Sequence, residues 1–117
     1  MQYRGSCHCG NVAFEIDTGQ PLDSVLSCNC SICSRKGSLL WFLPREQLRL
    51  NTPEGELSTY TFNKHLIKHR FCPNCGMHPY AEGTNPQGQA MAAVNVRCLE
   101  GVDLEALKVT HFDGRSA

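Results

Sequence analysis

The chain has 117 residues, with eleven Lys/Arg against eleven Asp/Glu, eight cysteines and a formal net charge of zero. That length matches the prior of about 100–200 residues for one domain, taken as residues 1–117, and it permits a modest core that a structural metal would reinforce. Neutral charge argues against general nucleic-acid binding, which needs a basic face, and there is no run of about 18 apolar residues to span a membrane.

Met1-Gln2-Tyr3-Arg4-Gly5-Ser6 lacks the apolar stretch of a secretory signal, so a cytoplasmic location is expected. From there Gly and Pro punctuate the chain at intervals of roughly 8–15 residues, as in an all-β domain. The pattern predicts strands over Gln2–Ser6, Val12–Ile16, Ser24–Ser27, Leu39–Leu43, Leu48–Asn51, Leu57–Phe62, Ile67–Phe71, His78–Ala81, Ala90–Val94 and Val109–Phe112. Val12, Phe14 and Ile16 alternate with Ala13 and Glu15, the period of a half-buried strand. Asp17-Thr18-Gly19-Gln20-Pro21 is turn chemistry. Ser31–Lys36 is expected to form a short helical turn, and Leu99–Leu107 another, since Leu104 and Leu107 are spaced i, i+3. Trp41-Phe42-Leu43-Pro44 reads as core or pocket wall. Thr61–Arg70 carries Lys64, His65, Lys68, His69 and Arg70 with no acid. On a strand, Lys68 and Arg70 share one face and His69 takes the other; the run also suits a solvated edge that resists strand-to-strand aggregation.

Seven of the eight cysteines fall into three groups: Cys7-His8-Cys9, Cys28-Asn29-Cys30-Ser31-Ile32-Cys33 and Cys72-Pro73-Asn74-Cys75. Zinc takes four ligands in a structural site and typically three protein ligands in a catalytic one. The two pairs together make a closed four-thiol site and the remaining three an open one. With C-x-C and C-x-x-C spacings and no secretory signal, this metal reading is stronger than a disulfide framework. Gly10 follows Cys9 and Gly76 follows Cys75, where a knuckle's sharp turn needs the positive φ that Gly tolerates. The two knuckles stand about 65 residues apart, and closing so long a loop costs only slowly growing entropy.

In extended backbone, residues i and i+2 point to one side, so Cys28 and Cys30 can grip one ion while a turn at Ser31-Ile32 returns Cys33. Three soft thiolates suit zinc, and also Cu(I) or an iron–sulfur cluster; a chain that already has a zinc knuckle pair makes zinc the default. The fourth ligand is open: water or a substrate thiol, Cys98, or one of His65, His69, His78 and His111. A zinc already holding three thiolates is electron-rich, which favours an incoming thiol over water. Residues 24–70 carry seven Lys/Arg against three acids, a basic excess accompanying the three-cysteine group that would suit a small anionic ligand. Seven thiolates and two divalent zinc ions would bring the net charge from zero to −3, which weakens a nucleic-acid role further.

Gly5-Ser6-Cys7-His8-Cys9-Gly10-Asn11-Val12-Ala13-Phe14, Cys28-Asn29-Cys30-Ser31-Ile32-Cys33 and Arg70-Phe71-Cys72-Pro73-Asn74-Cys75-Gly76 together resemble the glutathione-dependent formaldehyde-activating enzyme family, also called centromere-protein-V-like. Val94-Asn95-Val96-Arg97-Cys98-Leu99 and Phe112-Asp113-Gly114 are similar to the family's pattern as well, so the match runs from about residue 3 to 114. The resemblance implies a mainly β, Mss4-like domain of packed antiparallel sheets with short helical turns. It implies a structural zinc on Cys7, Cys9, Cys72 and Cys75 and a catalytic zinc on Cys28, Cys30 and Cys33. It implies a carbon–sulfur lyase that joins formaldehyde and glutathione to S-hydroxymethylglutathione, with glutathione as co-substrate and a small-molecule thiol as partner. Arg35, Lys36, Arg70 and Arg97 are the basic side chains that would hold the carboxylates of the peptide. Two other readings stand beside the enzyme: a glutathione or metal carrier without turnover, and a zinc-ribbon-like interaction module, which a second closed four-thiol site completed by Cys98 would favour.

Overall fold

The computed structural model describes residues 1–116. Among these residues ten strands form two sheets. β1 (Gln2–Ser6), β2 (Ala13–Asp17) and β5 (Leu48–Leu50) make the small one, in the order β1-β2-β5. The large one contains β3 (Ser24–Cys28), β4 (Leu40–Pro44), β6 (Ser58–Tyr60), β7 (Lys68–Phe71), β8 (Tyr80–Thr84), β9 (Ala90–Asn95) and β10 (Lys108–Phe112), in the order β10-β3-β4-β9-β8-β7-β6. The helix α1 (Cys33–Lys36) and 3-10 turns at Arg45–Gln47, Glu54–Glu56, Val96–Cys98 and Leu104–Ala106 complete the set. The fold is thus mainly β with short helical turns, as the pattern implies. No helix among the described residues is long and apolar enough to cross a membrane.

The expected strands all form: Gln2–Ser6 has the expected bounds, and the others have one or both ends shifted by one to three residues. All pairings are antiparallel except one: β10 lies parallel to β3, from Lys108 against Ser24 to Phe112 against Cys28. The chain leaves β9, crosses through the turns of 96–107 and returns along the outer edge. Alternation reports which residues face a core, not strand direction. Within Thr61–Arg70, residues 63–68 are exposed, but Lys68–Arg70 belong to β7, an inner strand paired to β6 and β8 and not an edge.

One hydrophobic core lies between the sheets. Val12, Phe14 and Ile16 are fully buried, as their alternation demands, and meet Trp41 and Leu43 of β4, Ala92 and Val94 of β9 and Tyr80 of β8. Tyr3 packs edge-on against Trp41, with ring centroids 5.2 Å apart. A Cβ at Gly5 would overlap the Phe14 ring, so only glycine lets β1 sit this close to the core. Each fully buried apolar side chain of this kind contributes about 1.5–3 kcal/mol.

The core side of the large sheet also holds an ionic cluster. Arg70 on β7 is buried and donates to Glu82 on β8 at 3.1 Å and to the Glu54 carbonyl at 3.2 Å. Arg45 donates to Glu82 at 2.8 Å and lies over the Tyr80 ring. The half-buried acid is satisfied from two directions, which offsets the cost of taking its charge out of water.

Candidate metal centres

All eight cysteines are free thiols, and two sets converge: Cys7, Cys9, Cys72 and Cys75, and separately Cys28, Cys30 and Cys33. Within each set the sulfurs lie within 4.8 Å of one another.

The four-thiol set is made by two near-identical turns. After β1, the Cys7 amide donates to the Val12 carbonyl at 2.9 Å, and the Gly10 amide turns back onto the Cys7 carbonyl at 3.3 Å. After β7, the Cys72 amide donates to the Met77 carbonyl at 2.9 Å and the Gly76 amide to the Cys72 carbonyl at 2.8 Å. Gly10 and Gly76 have φ of 85° and 80°, the left-handed conformation that a side chain resists. The sulfurs of Cys7 and Cys9 stand 3.6 Å apart, as do those of Cys9 and Cys72. Four thiolates at Zn–S distances of about 2.3 Å on a tetrahedron have sulfurs about 3.8 Å apart. The donor set therefore fits zinc, and these distances are far beyond a disulfide bond.

Protonation within this set is uneven. Burial pushes the Cys7 thiol up to about 11, against the pull of the Val12 amide. Backbone amides at Cys9 and Met77 draw Cys75 down to about 6, and Asn74 and the Asn11 amide lower Cys9. The rim of the knuckle is thus poised to ionise, while a cation is needed to ionise its buried end. Cys98 lies on this side of the molecule, not with the three-thiol set. Burial raises it to about 11, with Cys7 and Cys75 adding to the effect, and its sulfur accepts from the Asn95 side-chain Nδ2 at 3.7 Å.

The three-thiol set is local. Cys28 ends β3, Cys30 sits in the turn and Cys33 opens α1. The Ser34 amide donates to the Cys30 carbonyl at 2.9 Å, and Gly37, in the left-handed region, caps α1 through its amide to the Cys33 carbonyl at 3.0 Å. Burial raises Cys33 to about 12, and the negative charge of Cys30 adds to it. Cys30 itself goes down: burial opposes, but the Cys33 and Ile32 amides and the neighbouring thiols outweigh it. Among the described residues no fourth Cys, His, Asp or Glu joins this set.

A strap from the far end of the chain holds the cluster from outside. The Asn29 amide donates to the Phe112 carbonyl at 3.2 Å, its side chain donates to Asp113 at 3.0 Å, and the Arg115 amide donates back to Asn29 at 3.0 Å. Gly114 lies directly on the cluster: a Cβ there would stand 2.5 Å from the Cys28 sulfur and 3.2 Å from the Cys30 Cβ. Sequence reasoning missed this contact, because Asn29 and Asp113 are 84 residues apart; the one available signal is the Asp-Gly pair right after a strand.

The four basic candidates separate. Lys36 is half-buried at the end of α1 and acts electrostatically on Cys33 and Cys30; burial lowers its own pKa, and the two thiolates oppose that. Arg97 is exposed and donates to the Gly37 carbonyl at 3.3 Å, which brings it against the α1 cap. Arg35 is exposed and folds back on the Ser31 carbonyl at 2.6 Å. Arg70 is different: its guanidinium is held on the core side by Glu82 and Glu54, buried and away from the three thiols. His78 borders the same hollow as Lys36, and the Lys36 charge acts on both His69 and His78. Burial lowers His69 to about 4, with Lys36 and His78 adding to the effect, and burial with Lys36 lowers His78. His69 stacks on Phe62 and His78 on Phe71.

Fold and donor sets define a small two-sheet β protein with one closed and one three-sided thiol cluster, each able to hold a metal ion. The family model for the glutathione-dependent formaldehyde-activating enzyme matches residues 2–111, and the chain belongs to that family. A crystal structure of a Rhodobacter sphaeroides protein, a structural-genomics target, is similar throughout: TM-score 0.77, 29% identity, covering 92% of this chain and 99% of that one.

Proposed function

We propose that the protein is a zinc-dependent carbon–sulfur lyase-type enzyme acting on a small thiol adduct, with S-hydroxymethylglutathione, formed from glutathione and formaldehyde, as the reference case. The observation that carries this reading is the three-thiol set, in which the chain supplies three soft ligands beside a half-buried ammonium. Cys7, Cys9, Cys72 and Cys75 would hold a structural zinc; Cys28, Cys30 and Cys33 would hold the catalytic one. Zinc held there lowers the pKa of an incoming thiol. In the synthetic direction the sulfur forms a bond to the carbonyl carbon, the thiol proton leaves, and a proton ends on the carbonyl oxygen. The lyase direction reverses each change.

Lys36 supplies positive charge where the thiolate and the alkoxide develop. Arg35 in α1 and Arg97 at its cap are both exposed and would meet the carboxylates of a peptide thiol. Arg70 keeps Glu82 neutralised and has no ligand role in this scheme. Formaldehyde and thiols combine unaided, so the test is a rate above that background. The protein is expected to accelerate adduct formation and breakdown saturably in both substrates, and Cys28→Ser is expected to abolish the acceleration while the fold persists. Saturable thiol binding with no acceleration would make the protein a carrier instead.

A further inference from the structure

The strand β10 ends the large sheet, and among the described residues no strand lies beyond it. All five of its residues, Lys108 to Phe112, are exposed, although the strand is paired along its whole length to β3 on its inner side. The pairing fixes where its peptide groups point. The Lys108 amide donates to the Asp23 carbonyl at 2.9 Å, and the Phe112 carbonyl accepts from the Asn29 amide at 3.2 Å. Lys108, Thr110 and Phe112 thus turn their peptide groups towards β3, and alternate residues of a strand point theirs to the opposite side. Val109 and His111 therefore hold two donors and two acceptors out along an open edge.

The other three sheet edges are blunted. β6 and β5 are three residues long each. β1 is covered by the segment after the Val96–Cys98 turn, through the Glu100 amide on the Arg4 carbonyl at 2.8 Å and a bridge between Gly5 and Leu99. β10 has one lysine at its first position as its only guard; no proline, glycine or central charge interrupts Lys-Val-Thr-His-Phe. Its flanks leave the edge clear. Before the strand, Leu104 and Leu107 pack back on the core; after it, Asp113 and Arg115 fold inwards onto Asn29. Val109 and Phe112 are 37% and 47% exposed, which puts apolar surface on both faces of the strand.

From this edge we propose that a second copy of the chain pairs with it, β10 against β10, antiparallel about a two-fold axis at Thr110. The open groups and the flanks select that register. Residues that both face the partner exchange two bonds in an antiparallel pair. Val109 of each copy then meets the partner's His111, which makes four backbone hydrogen bonds across the axis. Thr110 lies opposite the partner's Thr110 and Lys108 opposite the partner's Phe112, so no like charges oppose each other. An axis at Val109 or at His111 would instead bring the core-packed Leu107 or the inward-turned Asp113 into the pairing. The two-fold contact is closed, so assembly stops at a dimer in which the two large sheets become one. Five residues a side make a small interface, and the dimer is a weak, concentration-dependent one.

Sedimentation of the zinc-loaded protein from about 10 μM to about 1 mM reads the association directly, and a monomer–dimer equilibrium is expected. Val109→Pro removes only an outward-facing donor. It is expected to weaken the dimer about tenfold or more, with zinc content and far-UV circular dichroism unchanged. Thr110→Lys sets two like charges across the axis and is expected to weaken pairing too. Mixing that variant with Thr110→Glu is expected to restore it as a heterodimer. A protein that stays monomeric at the highest concentration overturns the proposal. A dimer that is indifferent to Val109→Pro, or whose mixed charge variants regain nothing, has its contact elsewhere and overturns it equally.

Discussion

The two cysteine clusters use one residue type and attach to the fold in opposite ways. The four-thiol cluster joins the exit of β1 in the small sheet to the exit of β7 in the large one, so it fastens the two layers together. The three-thiol cluster spans six residues at the end of one strand and the start of one helical turn, and the strap of 112–115 comes to it from the far end of the chain. A site that closes a long loop stores its binding energy as folding energy; a site built within one turn leaves the fold nearly indifferent to its occupant. The second kind is the one that can exchange a ligand during turnover without loosening the core.

The difference can be broken at its strongest point first. Cys72→Ser removes a fully buried thiol from the cross-link between sheets. Structural zinc contributes about 10–16 kcal/mol in small domains, and domains of this size are stable by about 5–15 kcal/mol. The variant is therefore expected to lose cooperative thermal unfolding and most of its bound metal, read by circular dichroism and metal analysis. Next in size is Arg70→Ala, which leaves the half-buried Glu82 with Arg45 alone and is expected to cost less than the about 3–5 kcal/mol of a wholly unpaired buried charge, read in chemical denaturation. Zinc stoichiometry should not change, because Arg70 touches neither cluster.

Gly114→Val sharpens the comparison from the other side. The added carbons must displace the Cys28 sulfur, since the nearest approach would be 2.5 Å. Loss of outer support typically costs about 10–100-fold in metal affinity, so chelator competition should show weakened retention of one zinc, with the melting temperature nearly unchanged. The smallest effect is electrostatic. His69 is held neutral to about pH 4 in the fold by burial, with Lys36 and His78 assisting, whereas its unfolded pKa is about 6.5. Between those values the unfolded chain binds the extra proton, so stability is full above about pH 6.5 and falls as the pH drops towards 4. His69→Phe is expected to remove up to one proton's worth of that slope.

Much of this was written locally. Alternation of Val12, Phe14 and Ile16 with smaller or polar neighbours predicts a strand with one buried face, and Gly10 and Gly76 mark both knuckles, because each feature depends on residues within a few positions. What the chain could not show are relations across distance. The parallel seating of β10 on β3 depends on the path of 96–107. Arg70 looked like a free cation in a basic run, yet its acid partners come from another strand and a 3-10 turn. Asn29, Asp113 and Gly114 gain their role only once the two ends of β3 and β10 coincide.

The central claim is an inequality between the two clusters, and metal content under graded chelation tests it most directly. Two zinc ions per chain are expected, one released early by a competing chelator with circular dichroism unchanged, the other released only with unfolding. Glutathione added beforehand should alter the first release and leave the second alone. Simultaneous loss of both ions, or early release accompanied by collapse of the β spectrum, would contradict the account.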